Sequence, residues 1–178
     1  MNSELDGKIV LVTGGAGGIG SVISESFAEQ GAKVIIHYKH SKEKAELIAK
    51  KIEGVAMYAD LTDSAQTKEL FNDLIDKEGK IDICIANAGK YPKDYAPLWE
   101  IGIERWNNTV STNLSLTYNT SRYFLKHVAE TKKGSLVLIG STAGIYGEAG
   151  HADYAAAKGA ITSGLLRTLK NDAAQIGN

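Results

Sequence analysis

The stretch Val10-Leu-Val-Thr-Gly-Gly-Ala-Gly-Gly-Ile-Gly20 constrains the fold more than any other part of the chain. An apolar run from Ile9 to Val12 reads as a strand, breaks into five glycines, and gives way to a helical pattern carrying Val22, Ile23, Phe27 and Ala28. Glycines in such a turn can take positive φ and let backbone approach a ligand where a Cβ would collide. A helix starting near Gly18 directs its free N–H groups and the positive end of its dipole into the same space, which suits a phosphate. The ligand expected there is a dinucleotide pyrophosphate; the plain alternative is a flexible loop between strand and helix.

Beyond the first helix the chain repeats the alternation of strand and helix that builds a parallel sheet. Apolar, β-branched runs at Lys33 to Tyr38, Gly54 to Ala59, Lys80 to Ala86 and Ser135 to Ile139 read as strands two to five. Helical patterns lie between them: one with Ala45, Leu47, Ile48 and Ile52, one with Leu70, Leu74 and Ile75, a pair over 103–110 and 113–128, and a long one over 152–174. Gly31 is a natural helix stop, Ser41 a candidate N-cap, and Asp60 to Ser64 a loop and cap. Around Thr117 to Thr120 the residue types weaken helix propensity. The expected fold is α/β, a doubly wound parallel sheet of the Rossmann type, strand order 3-2-1-4-5, with helices on both faces. A length of 178 residues suits one domain over 1–178. The least periodic stretch, 90–100, holds both prolines and two tyrosines and reads as a loop flanking the site.

Charge and composition exclude several functions. A formal net charge of −1 offers no footprint for nucleic acid and no patch for a membrane surface. No apolar segment follows the first residues and no later run is long enough to span a bilayer, so a cytoplasmic protein is expected. The single cysteine, Cys84, lies in an apolar run and reads as core, and no metal site is expected. The partner is a small molecule.

In open parallel sheets ligands bind beyond the carboxyl ends of the strands, where strand order reverses. The end of strand two then sits beside the adenosine ribose. It carries Tyr38, Lys39 and His40; nothing acidic competes with a 2′-phosphate, and Lys39 with Lys42 could attract one. That favours NADP(H), with a solvated basic helix start as the alternative. Strand four ends in Asn87-Ala88-Gly89, small residues where a cofactor's ribose and ring would pass, or a structural turn. Tyr154 and Lys158 are four apart and share a helix face. An unperturbed tyrosine titrates near ~10, and a neighbouring ammonium favours its phenolate, so the pair can work as a tuned acid and base. Ser141, just past strand five, can meet them at the same sheet edge.

Thr13-Gly14-x-x-x-Gly18-x-Gly20, Asp60, Asn87-Ala-Gly89, Asn113, Ser141 and Tyr154-x-x-x-Lys158 together resemble the short-chain dehydrogenase/reductase family in order and approximate spacing, over almost the whole chain. The resemblance implies an NAD(P)-dependent oxidoreductase interconverting an alcohol and a carbonyl. Tyr154 would exchange a proton with the substrate oxygen, Ser141 would orient that oxygen, and Lys158 would hold the nicotinamide ribose and depress the Tyr154 pKa. Asn113 would steady a water linked to Lys158. The cofactor-binding residues implied are Gly14, Gly18, Ile19, Gly20, Tyr38, Lys39, Asp60, Leu61, Asn87, Ala88 and Gly89, with Tyr154 and Lys158 shared between both roles. A homodimer or homotetramer is implied through the helices over 113–130 and 154–174.

Three features depart from the family pattern. Ala86 replaces the commoner asparagine before Asn87-Ala-Gly89. Gly17 stands where many NADP-preferring members carry a basic residue, which keeps NAD(H) open beside NADP(H). Family members also continue for about one more strand–helix–strand after the point reached at Asn178. The expectation is therefore an incomplete stretch of a longer protein, with strand five as an exposed edge. The alternative is a non-catalytic NAD(P)-binding regulatory or scaffold module.

Overall fold

The computed structural model describes residues 4–176; the first and last residues, on which the readings of the chain's two ends partly rest, lie outside it. Five strands, β1 (Ile9–Val12), β2 (Lys33–Tyr38), β3 (Val55–Tyr58), β4 (Ile83–Ala86) and β5 (Ser135–Leu138), form one all-parallel sheet in the order β3-β2-β1-β4-β5. This is the Rossmann-type arrangement the sequence implies. Strand order reverses at β1, whose neighbours are β2 and β4, and a crevice opens beyond that point.

Both sheet faces are apolar because both are covered. Val10, Val12, Val34 and Ile36 point to one face and meet Ala45, Ile48 and Ala49 of α2 (Lys42–Lys51), with Ile23 and Phe27 of α1 (Gly18–Glu29) packed alongside. Their sequence neighbours Ile9, Leu11 and Ile35 point the other way, onto Phe71 and Leu74 of α3 (Ser64–Glu78) and Phe124 and Val128 of α5 (Leu116–Thr131). A strand's two-residue period thus feeds two cores at once. Cys84 is fully buried in the second core, and burial pushes its thiol far above the usual range.

Helix ends follow the sequence in part. Gly31 takes φ +86° just past α1, and Asp63 caps α3 by accepting from the Ala65 and Gln66 N–H groups at 2.7 and 3.3 Å. Ser41 occupies the N-cap of α2 but makes no capping bond; its ψ of 60° is far from the extended conformation that aims a hydroxyl at the first turn.

The two helical patterns over 103–128 are one continuous helix. α4 (Ile103–Val110) passes through a π-helical stretch, Ser111–Ser115, into α5. Hydroxyl groups accompany the widened turn: Thr112, Thr117, Thr120 and Ser121 each donate to the carbonyl four residues back, at 2.7–2.8 Å. Such bonds compete with the backbone ladder and loosen it. The long helix over 152–174 is likewise α7 (Ala152–Gly159), a π-helical stretch Ala160–Leu165, and α8 (Leu166–Ala174). Two short elements are not legible in the sequence: a 3₁₀ turn at Leu98–Glu100 and α6 (Ala143–Tyr146). The α6 segment packs tightly on α7, where a Cβ on Gly144 would stand 2.5 Å from the backbone of Lys158 and Gly159. β5 takes a sheet edge, with Val137 43 % exposed. No helix among the described residues is long and apolar enough to cross a membrane.

Candidate active site

A cleft of about 590 Å³ opens beyond the carboxyl ends of β1 and β4. Its floor is the glycine turn. Gly14 takes φ +62°, and its carbonyl lies so close to Gly20 that any Cβ there would collide with it. At Gly18 the position of a Cβ meets nothing within 4 Å, so the backbone there faces open space. Gly17, the N-cap of α1, offers no side-chain cap to the first turn. Uncapped amides beside an open cleft form a preorganised anion site.

The turn is fastened to both neighbouring strands. Thr13 Oγ1 accepts the Asn87 and Ala88 N–H groups at 2.9 and 3.0 Å, while Asn87 Nδ2 donates to the Thr13 carbonyl at 2.9 Å. On the other side, the Gly14 N–H donates to His37 Nδ1 at 3.1 Å, and His37 Nε2 bonds the Ala59 carbonyl at 2.9 Å. With Nδ1 accepting, Nε2 carries the proton and the ring is neutral. Burial is the main cause that lowers the His37 pKa to about 4, against the Ala59 bond and the nearby Asp60, which raise it. Sequence reasoning places His37 only as a strand residue. Its one signal is a histidine next to Val34, Ile35 and Ile36 at the end of a strand that borders the glycine turn.

The cleft wall beyond β2 and β3 is formed by Tyr38, Lys39, His40, Ser41, Asp60, Leu61 and Thr62. Lys39 Nζ stands 2.6 Å from Asp60 Oδ2, so the cation expected to face a 2′-phosphate already has a partner. Asp60 Oδ1 accepts from the Thr62 N–H and hydroxyl at 3.0 and 2.7 Å. Burial works to raise this carboxyl, but Lys39 and Thr62 outweigh it and hold it at about 2. Lys42 pairs within its own helix, 3.8 Å from Glu46. Leu61 lines the cleft although its side chain is buried, and its carbonyl accepts from Asn119 Nδ2 at 2.9 Å.

Beyond β4 and β5 the wall consists of Asn87, Ala88, Gly89, Asn113, Ile139, Gly140, Tyr154 and Lys158, with Ile19 and Gly20 opposite on α1. Lys158 is buried except for 4 % of its surface; Nζ donates to the Ile139 carbonyl at 2.8 Å and stands 5.9 Å from the centroid of the Tyr154 ring. Burial lowers its pKa. Asn113, in the π-helical turn, is fully buried and braces the loop after β4. Its Nδ2 donates to the Lys90 and Thr109 carbonyls at 2.9 and 3.0 Å, and its Oδ1 accepts the Lys90 N–H at 3.3 Å. Ser141 stands one residue past the wall at Gly140, its hydroxyl accepting the Ala143 N–H at 3.2 Å. Of the four residues expected to be catalytic, Asn113, Tyr154 and Lys158 therefore line the cleft and Ser141 sits at its margin.

Tyr91 is not singled out by the sequence, since its loop has no periodicity to read. Its ring stands edge-on to Tyr154 with centroids 5.0 Å apart and stacks on His151 at 4.7 Å. Its hydroxyl donates to Glu148 Oε1 at 2.6 Å, and that bond is the main cause that pushes its pKa up to about 12. Tyr91 thus forms a wall of the cleft beside Tyr154.

The cleft joins the uncapped start of α1 to the Tyr154 phenol and the Lys158 side chain, one turn apart on α7. The residues present fit a dinucleotide cofactor: the cradle above Gly18 is open, and the helix start has no cap of its own. A profile of the short chain dehydrogenase family matches residues 8–177. A 3-oxoacyl-(acyl-carrier-protein) reductase of Thermotoga maritima is 34 % identical over 170 residues, covering 93 % of this chain and 68 % of the relative. A hydroxynaphthalene reductase of Aspergillus fumigatus is 35 % identical over 173 residues, covering 94 % and 62 %. An NADP-dependent mannitol dehydrogenase of Alternaria alternata is 38 % identical over 149 residues, covering 79 % and 55 %. The chain spans between about half and seven-tenths of the length of these relatives.

Proposed function

Since this chain belongs to the short-chain dehydrogenase/reductase family, we propose that its site interconverts a carbonyl and an alcohol on a small organic substrate with NADP(H), and with NAD(H) less well. The observation that carries this reading is the placing of Tyr154 and Lys158 on one turn of α7, facing the same cleft as the uncapped glycine turn. Relatives named as reductases of 3-oxoacyl and hydroxynaphthalene compounds, and one named NADP-dependent, agree with it.

When bound, the nicotinamide supplies or takes up the hydride at the substrate carbon. The chain's own residues do the rest. The amides of Gly18, Ile19 and Gly20 hold the pyrophosphate, Asp60 and Leu61 border the adenine, and Tyr38 and Lys39 border the adenosine ribose. Asn87, Ala88 and Gly89 leave room for the second ribose. In reduction the Tyr154 hydroxyl gives its proton to the carbonyl oxygen as the C=O π pair becomes the O–H bond; in oxidation the phenolate takes that proton back. Lys158, its Nζ 5.9 Å from the centroid of the Tyr154 ring, holds the hydroxyls of the nicotinamide ribose. Ser141, whose oxygen accepts the Ala143 N–H, donates its own hydroxyl proton to the substrate oxygen, and Asn113 steadies water beside Lys158, through which Tyr154 regains its proton. We also propose a homodimer or homotetramer joined through the helices over 113–130 and 154–174, where Tyr118, Leu125, Leu165 and Leu169 line an open groove.

The test is a fluorescence titration with NADPH and NADH, followed by turnover of a panel of ketones, for the wild-type chain and Tyr154→Phe. The reading requires saturable NADPH binding by both proteins and turnover by the wild type alone. Binding without turnover in either would point instead to the nucleotide-binding module.

A further inference from the structure

Three segments around Tyr154 meet on one guanidinium. Arg105, on α4, forks onto Asp153: Nε donates to Oδ2 at 3.0 Å and Nη2 to Oδ1 at 3.3 Å. Nη1 also donates to the Asp94 carbonyl at 2.7 Å, and Nη2 to the Gly150 carbonyl at 3.1 Å. Asp153 directly precedes Tyr154 on α7. Asp94 belongs to the loop that carries Tyr91, and Gly150 to the loop that carries Glu148 and His151, which hold Tyr91 in place. An Ala96 N–H bond to the Gly150 carbonyl, 3.1 Å, ties the two loops together beside Arg105.

The arrangement is unfavourable to assemble without its full set of bonds. Asp153 is fully buried, and burial works to raise its carboxyl; the bonds from Arg105, Thr109 and the Tyr154 N–H outweigh it and keep it low. Thr109 supplies a further bond to Oδ2 at 2.8 Å. A buried ion pair is weak support for stability, since well-packed apolar side chains of similar volume serve as well. What this pair supplies is geometry: a planar fork with five donors bridges a carboxylate and two carbonyls at once, and a lysine cannot.

We propose that Arg105 is the positioning residue of this site, setting Tyr154 relative to the substrate-side loops through Asp153, Asp94 and Gly150. The proposal rests on the reading of Tyr154 as the proton donor. Lys158 Nζ lies over the Tyr154 ring from its own helix and Tyr91 stands edge-on to it from the loop, itself held by Glu148 and His151, while the Arg105–Asp153 pair adjoins Tyr154 along the chain.

The experiment compares wild type, Arg105→Lys, Arg105→Met and Arg105→Met/Asp153→Asn. Arg105→Lys keeps the charge and loses the fork; kcat should fall by about 10- to 100-fold and the ketone KM rise, with NADPH affinity unchanged. Arg105→Met removes the fork and its charge together and should lower kcat at least as far as Arg105→Lys; the double variant, which also removes the Asp153 carboxylate, should not restore it. Amide exchange should show residues 90–97 and 147–154 losing protection together in Arg105→Lys while β1 and α1 keep theirs. Wild-type kcat and KM in Arg105→Lys, or a loss of NADPH affinity as large as the loss of kcat, would overturn the proposal. Absence of wild-type turnover sinks the oxidoreductase reading instead, and the exchange measurement then decides by itself whether Arg105 gathers the three segments.

Discussion

Lys39 and Asp60 form an ion pair at 2.6 Å across the ends of β2 and β3, in the wall of the cleft. The cation that the sequence offers to a 2′-phosphate is therefore held in place by a carboxylate rather than waving free. Pairs with this degree of exposure contribute only ~0–1 kcal/mol, so a phosphate can draw Lys39 away.

Lys39→Ala should accordingly weaken NADPH binding by about 10-fold and leave NADH within about 2-fold, an effect of one phosphate contact. Fluorescence titration of both cofactors checks it; an equal loss for both would place Lys39 outside the 2′-phosphate site.

His37 makes stability depend on pH. Its pKa is lowered from 6.5 to about 4 in the folded chain, so between those values the unfolded chain binds a proton that the folded one refuses. The His37 contribution to stability is complete above pH 6.5 and falls as pH drops towards about 4, by up to ~1.4 kcal/mol per pH unit. Urea unfolding at pH 7 and pH 5 should show wild type losing more stability than His37→Gln over that interval. Equal losses would mean that His37 does not carry the dependence.

Gly20→Ala tests the turn. The added methyl meets the Gly14 carbonyl and stands 2.8 Å from Asn87 Nδ2, both parts of the fastening between β1 and β4. Overpacking of this kind costs ~1–3 kcal/mol, and because the displaced backbone is the phosphate cradle, NADPH binding should be lost at concentrations that saturate the wild type. Gly18→Ala faces open space and should fold as well as the wild type, losing only cofactor affinity.

Tyr118 is 49 % exposed in the groove between α5 and α8. Tyr118→Glu should shift a homo-oligomer towards monomer in sedimentation at micromolar concentration without lowering the thermal midpoint of the monomer. A wild-type chain that sediments only as monomer would remove this surface from the oligomer.

Much of this protein can be read locally. The parallel alternation, the glycine turn, and Tyr154 with Lys158 on one face of a helix all depend on residues within a turn or a strand of one another, where periodicity and backbone freedom act directly. Asp63 starts α3 and Gly31 follows the end of α1 for equally local reasons. Ser41 shows the limit: its type suits a cap, yet the path of the chain out of β2 leaves its ψ unsuitable.

What the sequence by itself could not determine are the pairings between side chains on separate elements. His37 bonding Gly14, Asp60 occupying Lys39, and Arg105 joining Asp94, Gly150 and Asp153 all span 11 or more residues. Each partner alone looks like an ordinary strand, turn or helix residue. Their meeting depends on strand register and helix packing, which set hydrogen-bond geometry to within a few tenths of an ångström. A hydrophobic pattern settles which faces are buried; only the packed structure decides which polar groups, left between those faces, must satisfy one another.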